Sequence, residues 1–218
     1  MGVYESIKNA IIIGDYSSGY RLTEEALTKD WNVSRTPIRE ALKKLEFDGL
    51  ITSLKRGFIV RTFSKEDLRQ VYDLRALLES YAAGQAALNR KAEDIEVIHE
   101  ANHEYEKALG QGNKDIDRNK AIVEANRRFH DGVVRASRNE HVRDLIDKVV
   151  VLPLVFRSFY WFGEADLQQS FQMHQTIAQA IEEKDADRAK TAMHEHIFRG
   201  RDYVLHHYEG GTDHDPSL

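Results

Sequence analysis

The sequence NVSRTPIREALKKLEFDGLI, residues 32–51, decides the fold of the N-terminal part of the chain. Ser34 or Thr36 is suited to cap a helix, and Pro37 is tolerated in the first helical turn. Asp48-Gly49 is a turn sequence at which the helix is expected to end. The apolar residues recur at helical spacing and are expected to form the buried face of the helix: Ile38, Ala41, Leu42, Leu45 and Phe47. The stretch therefore predicts an amphipathic helix that ends in a turn.

The segments on either side complete a small unit around this helix. Residues 3–13 read as a first helix, and Thr23 can cap a second helix that runs to Trp31. After the central helix, residues 50–53 and 58–60 are strand-like runs joined by a short turn. Two helices, a tight turn, a third helix and a β-hairpin follow one another in the order of a winged helix-turn-helix.

The front end of the central helix carries residue types that suit DNA recognition. Two arginines stand four residues apart on one exposed face, beside small hydroxyl side chains. Arginine suits a bidentate bond to guanine, and hydroxyls suit phosphates or base edges. At the tip of the hairpin, two cations precede a glycine that allows a close approach to a groove. We therefore predict that the DNA-binding residues are Ser34, Arg35, Thr36, Arg39, Lys55, Arg56 and Gly57.

The charge of the chain is divided unevenly. The 218 residues carry a net charge of −5, yet residues 1–63 hold ten Lys or Arg and eight Asp or Glu, a net charge of +2, which leaves −7 for the rest. A basic front part and an acidic back part fit a protein whose first part meets phosphate. The chain has no cysteine, and the apolar run of residues 10–13 is too short for an export signal or a membrane span. We expect a cytoplasmic protein with no membrane partner.

From Ser64 onward, helical patterns follow one another without strand signals. We therefore predict a mainly α protein with two domains, a winged helix-turn-helix over residues 1–63 and an all-α antiparallel helical bundle over residues 64–208. Residues 209–218 are polar and glycine-rich and are expected to be a disordered tail. The aromatic run of residues 156–162 is expected to pack in the core, with the lining of a pocket as the alternative.

Histidines fall on the apolar stripes of three different helices in the C-terminal part. One stripe includes Asn126 and His130, a second includes His174, and a third includes His196. A single inward histidine is usually a core residue with a satisfied hydrogen bond. Three histidines on three helices of one bundle are better explained by a shared divalent cation, because each buried imidazole needs a partner.

The N-terminal part resembles the GntR family of bacterial regulators. The resemblance rests on residues 32–42, followed by Leu45, Asp48-Gly-Leu-Ile51 and Arg56-Gly57, and it covers nearly all of residues 3–62. It implies DNA contacts by Arg35, Thr36 and Arg39 and by the wing residues Arg56 and Gly57. We expect a homodimer that places two recognition helices on a pseudopalindromic double-stranded operator, and repression relieved by an effector.

The C-terminal part resembles the helical effector domain of the FadR subgroup, often abbreviated FCD, over residues 66 to about 206. The matching segments are Leu74-Arg-Ala-Leu-Leu-Glu79, Asn126-Arg-Arg-Phe-His130, Met173-His174 and Ala192-Met-His-Glu-His196. The resemblance implies a metal ion held by Asn126, His130, His174 and His196, with a small carboxylate effector beside it. We expect zinc first, with nickel or manganese as alternatives.

Two residues bear on the charge of this site. Many members of the subgroup have Asp where this chain has Asn126, so either metal affinity falls or an anionic effector supplies the missing negative charge. Arg75 lies on the apolar stripe of its helix, where an unpaired guanidinium is costly. Its partner is either the effector or Glu79, one turn further along.

A rival interpretation is a metal-dependent hydrolase with an appended DNA-binding module. His99-Glu-Ala-Asn-His103 matches the HExxH pattern of metalloproteases, but a solvated helix face explains it better. In the inward histidine site, Glu79 or Glu124 would have to accept a proton from a bound water, which requires an unexpected geometry. We therefore predict a binding protein rather than an enzyme.

Overall fold

A computed structural model describes residues 2–111, 116–149 and 162–208. These residues form nine helices and three short strands, so the predicted mainly α fold is confirmed. They divide into two compact units, the first of residues 2–67 together with Tyr208, and the second of the described residues from Leu68 to His207. The predicted tail and residues 156–161 of the aromatic run lie outside the described residues.

The first unit is built on the three helices expected from the sequence. They are α1 (Val3–Ile13), α2 (Glu24–Trp31) and α3 (Arg35–Phe47). Thr23 caps α2 by accepting a hydrogen bond from the backbone N–H of Ala26 at 3.2 Å, and Asn32 ends that helix in the left-handed conformation. The core of the unit joins the inner faces of α1, α2 and α3 to the sheet: Ile7, Ile11, Leu27, Ile38, Leu42, Leu45, Leu50, Ile51 and Val60.

The sheet has one strand more than the sequence predicted. It consists of β1 (Arg21–Leu22), β2 (Ile51–Ser53) and β3 (Phe58–Val60), in the antiparallel order β1-β3-β2. Two residues are too few to show an alternating pattern, so β1 left no signal.

The expectation that Phe47 is buried was wrong, because its side chain is 86% exposed. The buried positions of α3 are Ile38, Ala41, Leu42 and Leu45. At 100° per residue, Phe47 points to the side of the helix opposite to them.

The second unit contains only helices among its described residues. They are α4 (Lys65–Asn89), α5 (Ala92–Leu109), α6 (Ile116–Ala136), α7 (Glu140–Val149), α8 (Glu164–Glu182) and α9 (Ala186–His207). α5 packs against α6 and α8, and α8 packs against α9. Where α5 meets α6, a Cβ on Gly132 would lie only 3.2 Å from a side-chain carbon of Ile98, so the absence of a side chain allows the close approach. None of the described helices is long and apolar enough to cross a membrane.

Candidate functional site

The first candidate site is the exposed N-terminal end of α3. Ser34 is the N-cap residue in extended conformation, and Arg35, Thr36 and Arg39 follow it with exposed side chains. The apolar face of the helix is anchored in the core, so this end of the helix is held rigidly while its polar face stays open. This arrangement suits insertion into a major groove.

Arg39 has a partner that the sequence did not indicate. Its Nε and Nη2 donate to the two carboxylate oxygens of Glu24, at the start of α2, each at 2.9 Å. This hydrogen bonding lowers the pKa of the Glu24 carboxyl below its usual value. A guanidinium has five N–H donors, so three remain on Arg39 for a nucleic acid. The two residues are 15 positions apart in the sequence, and only the packing of α2 on α3 brings them together.

The wing is the turn between β2 and β3. Lys55 and Arg56 are exposed there, and the N–H of Leu54 donates to the carbonyl of Gly57 at 2.9 Å. Gly57 has φ +82°, and a Cβ at this position would lie 2.6 Å from the carbonyl oxygen of Leu22. Both the positive φ and the close approach therefore require glycine.

Arg21 is a further cation at the wing that sequence reasoning missed. Its Nη2 donates to the carbonyl oxygen of Arg56 at 2.7 Å. Arg21 lies in β1, the strand that left no sequence signal. The described wing therefore carries an exposed arginine from a neighbouring strand beside its own two cations.

The second candidate site is a cluster of three histidines in the helical unit. His130 on α6, His174 on α8 and His196 on α9 each direct a ring nitrogen to a common point. The Nε2 atoms of His174 and His196 are 3.3 Å apart, and those of His196 and His130 are 3.2 Å apart. Among the described residues, this is the one group of three or more potential metal-ligating side chains in such proximity.

Aromatic packing shields His174 from water. The ring of Phe129 stacks on His174 with centroids 3.9 Å apart, and the edge of Tyr105 faces the same imidazole at 5.4 Å. Burial lowers the pKa of His174 well below its usual value, and His196 and His130 lower it further. Burial also lowers the pKa of His196, assisted by the charges of His130 and Arg75. These two imidazoles are therefore neutral at pH 7, the state that binds a metal ion.

Two polar atoms near the cluster have no hydrogen-bond partner within the described part of the chain. They are Nδ1 of His174 and Oδ1 of Asn126, both in buried side chains. Asn126 lies on α6 one turn before His130, on the same face of the helix. An unsatisfied buried oxygen one helical turn from a converging imidazole is a suitable fourth donor for a cation. Oδ1 of Asn102 on α5 is a third such atom among the described residues, which the sequence did not indicate.

Arg75 pairs with Glu79, one of the two partners considered from the sequence. Its Nε donates to Oε1 of Glu79 at 2.7 Å, and both side chains are buried. The second carboxylate oxygen lies 2.6 Å from Nδ1 of His130. Burial alone raises the pKa of Glu79, but the charges of Arg75 and His130 and their hydrogen bonds hold that pKa well below its usual range. The hydrogen bond from His130 to Glu79 spans 51 positions of the sequence and was missed.

The HExxH segment lies on an exposed face of α5. His99 is paired with Glu182 of α8 at 3.2 Å and is exposed, as is His103. Within the described residues, neither histidine belongs to a potential metal-binding group. The preference for a solvated helix face agrees with this placement.

Known proteins resemble both parts of the chain. Residues 1–60 match the family "Bacterial regulatory proteins, gntR family", and residues 70–199 match the family "FCD domain". The HTH-type transcriptional regulator YdhC of Bacillus subtilis (strain 168) is 28% identical over 211 residues, covering 96% of this chain and 92% of YdhC. The HTH-type transcriptional repressor GlaR of Escherichia coli (strain K12) is 26% identical over 203 residues, covering 89% of this chain and 90% of GlaR. The solved structure of E. coli McbR/YncC has the same fold, with a TM-score of 0.79 at 22% identity, covering 95% of this chain and 97% of that one.

Proposed function

Because the chain belongs to the GntR family of bacterial transcription regulators and carries an FCD domain, we propose that it is a repressor whose binding to DNA is controlled by a small organic acid held beside a metal ion. The family consists of regulators rather than enzymes, which argues against the hydrolase alternative. The name of the similar protein GlaR supports repression as the mode of action. A repressor of this kind acts on the nucleoid, in the bacterial cytoplasm.

The observation that carries the proposal is the convergence of three imidazole Nε2 atoms. Nitrogen ligands of a tetrahedral zinc ion lie about 2.0–2.1 Å from the metal, which places two such nitrogens about 3.3–3.4 Å apart. The separations of Nε2 of His196 from Nε2 of His130 and of His174, 3.2 and 3.3 Å, are close to that value, and all three ligand atoms lie within 4.8 Å of one another. His130, His174 and His196 would hold the ion, with Oδ1 of Asn126 as the fourth donor. Zinc fits this donor set best, and nickel and manganese are the alternatives.

A neutral donor set determines the chemical class of the effector. Three neutral imidazoles and an amide leave a divalent cation with its full charge, so an anion is favoured as the next ligand. When bound, the metal supplies a Lewis acid that attracts a carboxylate oxygen. Arg75 supports the same class, because its positive charge acts on His196 of the cluster and would attract a carboxylate. We therefore assign Arg75 to effector binding.

DNA binding is proposed for the N-terminal end of α3 and for the wing. The residues are those expected from the sequence: Ser34, Arg35, Thr36, Arg39, Lys55, Arg56 and Gly57. Two observations support this assignment: these residues lie on a helix end and on a turn that are largely exposed, and the core of the unit holds both in place. A pseudopalindromic operator requires two such units, and hence a homodimer.

The helical unit offers a surface for the second copy. Exposed apolar side chains fall within one side of α4, at Leu74, Leu77, Tyr81 and Leu88. α7 extends the patch, because Val142 and Ile146 pack on the Leu78 and Ala82 region of α4 while Leu145 stays 48% exposed. An apolar stripe of this length on one helix is typical of a protein interface. Leu77→Lys should convert the dimer to a monomer in light scattering, whereas Val97→Lys, at an exposed apolar position of α5, should not.

Metal analysis tests the proposed centre directly. Wild-type protein dialysed against zinc should retain about one ion per chain by mass spectrometry of the metal. His130→Ala should lose it, and His99→Ala, which changes an exposed histidine of α5, should retain it. Wild-type protein that takes up no zinc, nickel or manganese would refute the centre.

The regulatory proposal is tested with DNA selected by the protein from a random duplex library. Fluorescence anisotropy should show tight binding of the selected duplex, weakened by one or more members of a panel of mono-, di- and tricarboxylates. The effect should require the metal, so it should disappear in His130→Ala. An acid effect that persists in this variant would separate the effector from the histidine cluster.

A further inference from the structure

Three buried side chains connect the histidine cluster to α4. Nδ1 of His130 lies 2.6 Å from Oε2 of Glu79, and Oε1 of Glu79 accepts a hydrogen bond from Nε of Arg75 at 2.7 Å. Glu79 is 2% exposed, Arg75 is 5% exposed and His130 is 8% exposed. The carboxylate therefore contacts the cluster through the back of one imidazole, on the side away from the converging nitrogens.

This contact fixes which ring nitrogen of His130 carries the proton. A carboxylate that accepts from a guanidinium has only lone pairs to offer, so Nδ1 of His130 must be the donor. In the neutral form of the ring, which is the form that binds a metal, Nε2 then keeps its lone pair; this atom faces Nε2 of His196 at 3.2 Å. A metal-binding imidazole needs this tautomer, and a carboxylate on its other nitrogen makes it a stronger ligand.

The contact also brings negative charge to a donor set that has none. His130, His174, His196 and the amide of Asn126 are all neutral ligands when they bind a metal. A carboxylate at the position of Asn126 would supply the charge from inside the coordination shell, but this chain has an amide there. Glu79 holds its carboxylate one imidazole further out, and the hydrogen bond transmits part of its charge to the ring.

We propose, on the premise of the metal centre argued above, that Glu79 is a positioning residue of that centre. It holds His130 as the Nδ1–H tautomer and provides, from outside the coordination shell, the negative charge that Asn126 does not provide. Arg75 holds the carboxylate in place through its Nε hydrogen bond. Glu79 thus belongs to the metal site although no metal ligand is near it in the sequence.

Zinc affinity tests the assignment. Glu79→Gln keeps the size of the side chain and removes its charge, and we expect the dissociation constant for zinc, measured by competition with a chelating dye, to rise about 10–100-fold. The matched control is Glu164→Gln, which changes a carboxylate paired with the buried Arg118 at 2.7 Å. This control should bind zinc as the wild type does. Wild-type affinity in Glu79→Gln would overturn the proposal.

Two further variants show whether a loss of zinc affinity comes from the missing charge of Glu79 or from impaired folding. Glu79→Gln leaves Arg75 without an anionic partner, so the double variant Arg75→Met/Glu79→Gln removes both charges together. It should show a similar loss of zinc affinity. Adding Asn126→Asp to Glu79→Gln returns one negative charge to the centre and should recover much of the loss. If neither expectation is met, Glu79 has only a structural role.

The tautomer is measurable in the wild-type protein without any substitution in α4. Long-range ¹H–¹⁵N spectra distinguish a protonated Nδ1 from a protonated Nε2, and comparison with His130→Asn identifies the ring. The proposal requires a protonated Nδ1 in both the metal-free and the zinc-loaded protein, and a protonated Nε2 would contradict it. Wild-type protein that takes up no zinc refutes the metal centre itself, whereas zinc uptake with equal affinity in Glu79→Gln removes only the role of Glu79.

Discussion

Asn126→Asp has opposite effects on the metal-free and the metal-bound protein if Asn126 belongs to the histidine cluster. Asn126 is 3% exposed and its Oδ1 has no partner among the described residues. A carboxylate there is a buried charge without a cation, and we expect it to destabilise the metal-free protein by at least about 1–3 kcal/mol. For a chain of this size, that free energy corresponds to a fall in melting temperature of roughly 3–10 °C.

The same substitution strengthens metal binding. A carboxylate oxygen carries negative charge and attracts a divalent cation more strongly than a neutral amide oxygen does, and desolvation of the carboxylate removes part of this gain. We expect a net increase in zinc affinity of about 10–100-fold, or about 1.4–2.7 kcal/mol. The difference in melting temperature between zinc-loaded and chelator-treated protein should therefore widen.

Scanning calorimetry with zinc and with EDTA, together with chelator competition, measures both effects. The matched control is Asn139→Asp, which changes a half-buried cap whose Oδ1 accepts a hydrogen bond from the N–H of Val142 at 3.2 Å. The control should leave the zinc affinity unchanged. If Asn126→Asp binds zinc no more tightly than the wild type, Asn126 is not a ligand and the donor set must be revised.

Three further predictions concern the wing, the recognition helix and the dependence of stability on pH. Gly57→Ala should lower the free energy of unfolding by about 1–3 kcal/mol in urea titrations, because the new Cβ would contact the backbone of Leu22 and the residue has a φ of +82°. An unchanged free energy of unfolding would contradict the wing geometry. Glu24→Gln removes the carboxylate that pairs with the Arg39 guanidinium, so binding to a non-cognate duplex should tighten, and the dependence of its affinity on salt concentration should steepen by about one phosphate contact. If the salt dependence measured by fluorescence anisotropy is unchanged, Arg39 lies away from the DNA. The folded-state pKa values of His174 and His196 lie below 6.5, the value in the unfolded chain, so their contribution to the stability of metal-free protein is fully present above pH 6.5. As the pH falls below 6.5, the free energy of unfolding should decrease by up to about 1.4 kcal/mol per pH unit for each histidine. A free energy of unfolding in urea that does not change with pH would exclude buried neutral imidazoles.

The sequence predicts those features that depend on local periodicity. The apolar stripe of α3 and the inward histidines follow from the 3.6-residue repeat, which needs no knowledge of neighbouring helices. The same repeat would have excluded Phe47 from the buried face had it been applied strictly to that residue. Local patterns therefore assign a side chain to a face of its helix when its angular position is compared with that of the buried residues.

Contacts between distant segments have no such local signal. The pairs Glu79–His130 and Glu24–Arg39 join residues on different helices, and the packing of those helices alone sets their distances. The sequence could indicate that three histidines face inward, but not that Nε2 of His196 lies 3.2 and 3.3 Å from those of His130 and His174. The separation that makes the cluster a candidate metal centre is thus a property of the bundle rather than of any one helix.

The pairing of Arg75 with Glu79 has a consequence for how an effector can act. If Arg75 depended on the effector for its partner, the effector-free bundle would contain an unpaired buried cation, at a cost of about 3–5 kcal/mol. Binding of the acid would then rescue folding instead of selecting between two folded states. Because Glu79 already satisfies Nε of Arg75 at 2.7 Å, the bundle meets this cost on its own. A regulator needs both of its states to be folded, and the internal ion pair removes this obstacle to folding in the absence of the effector.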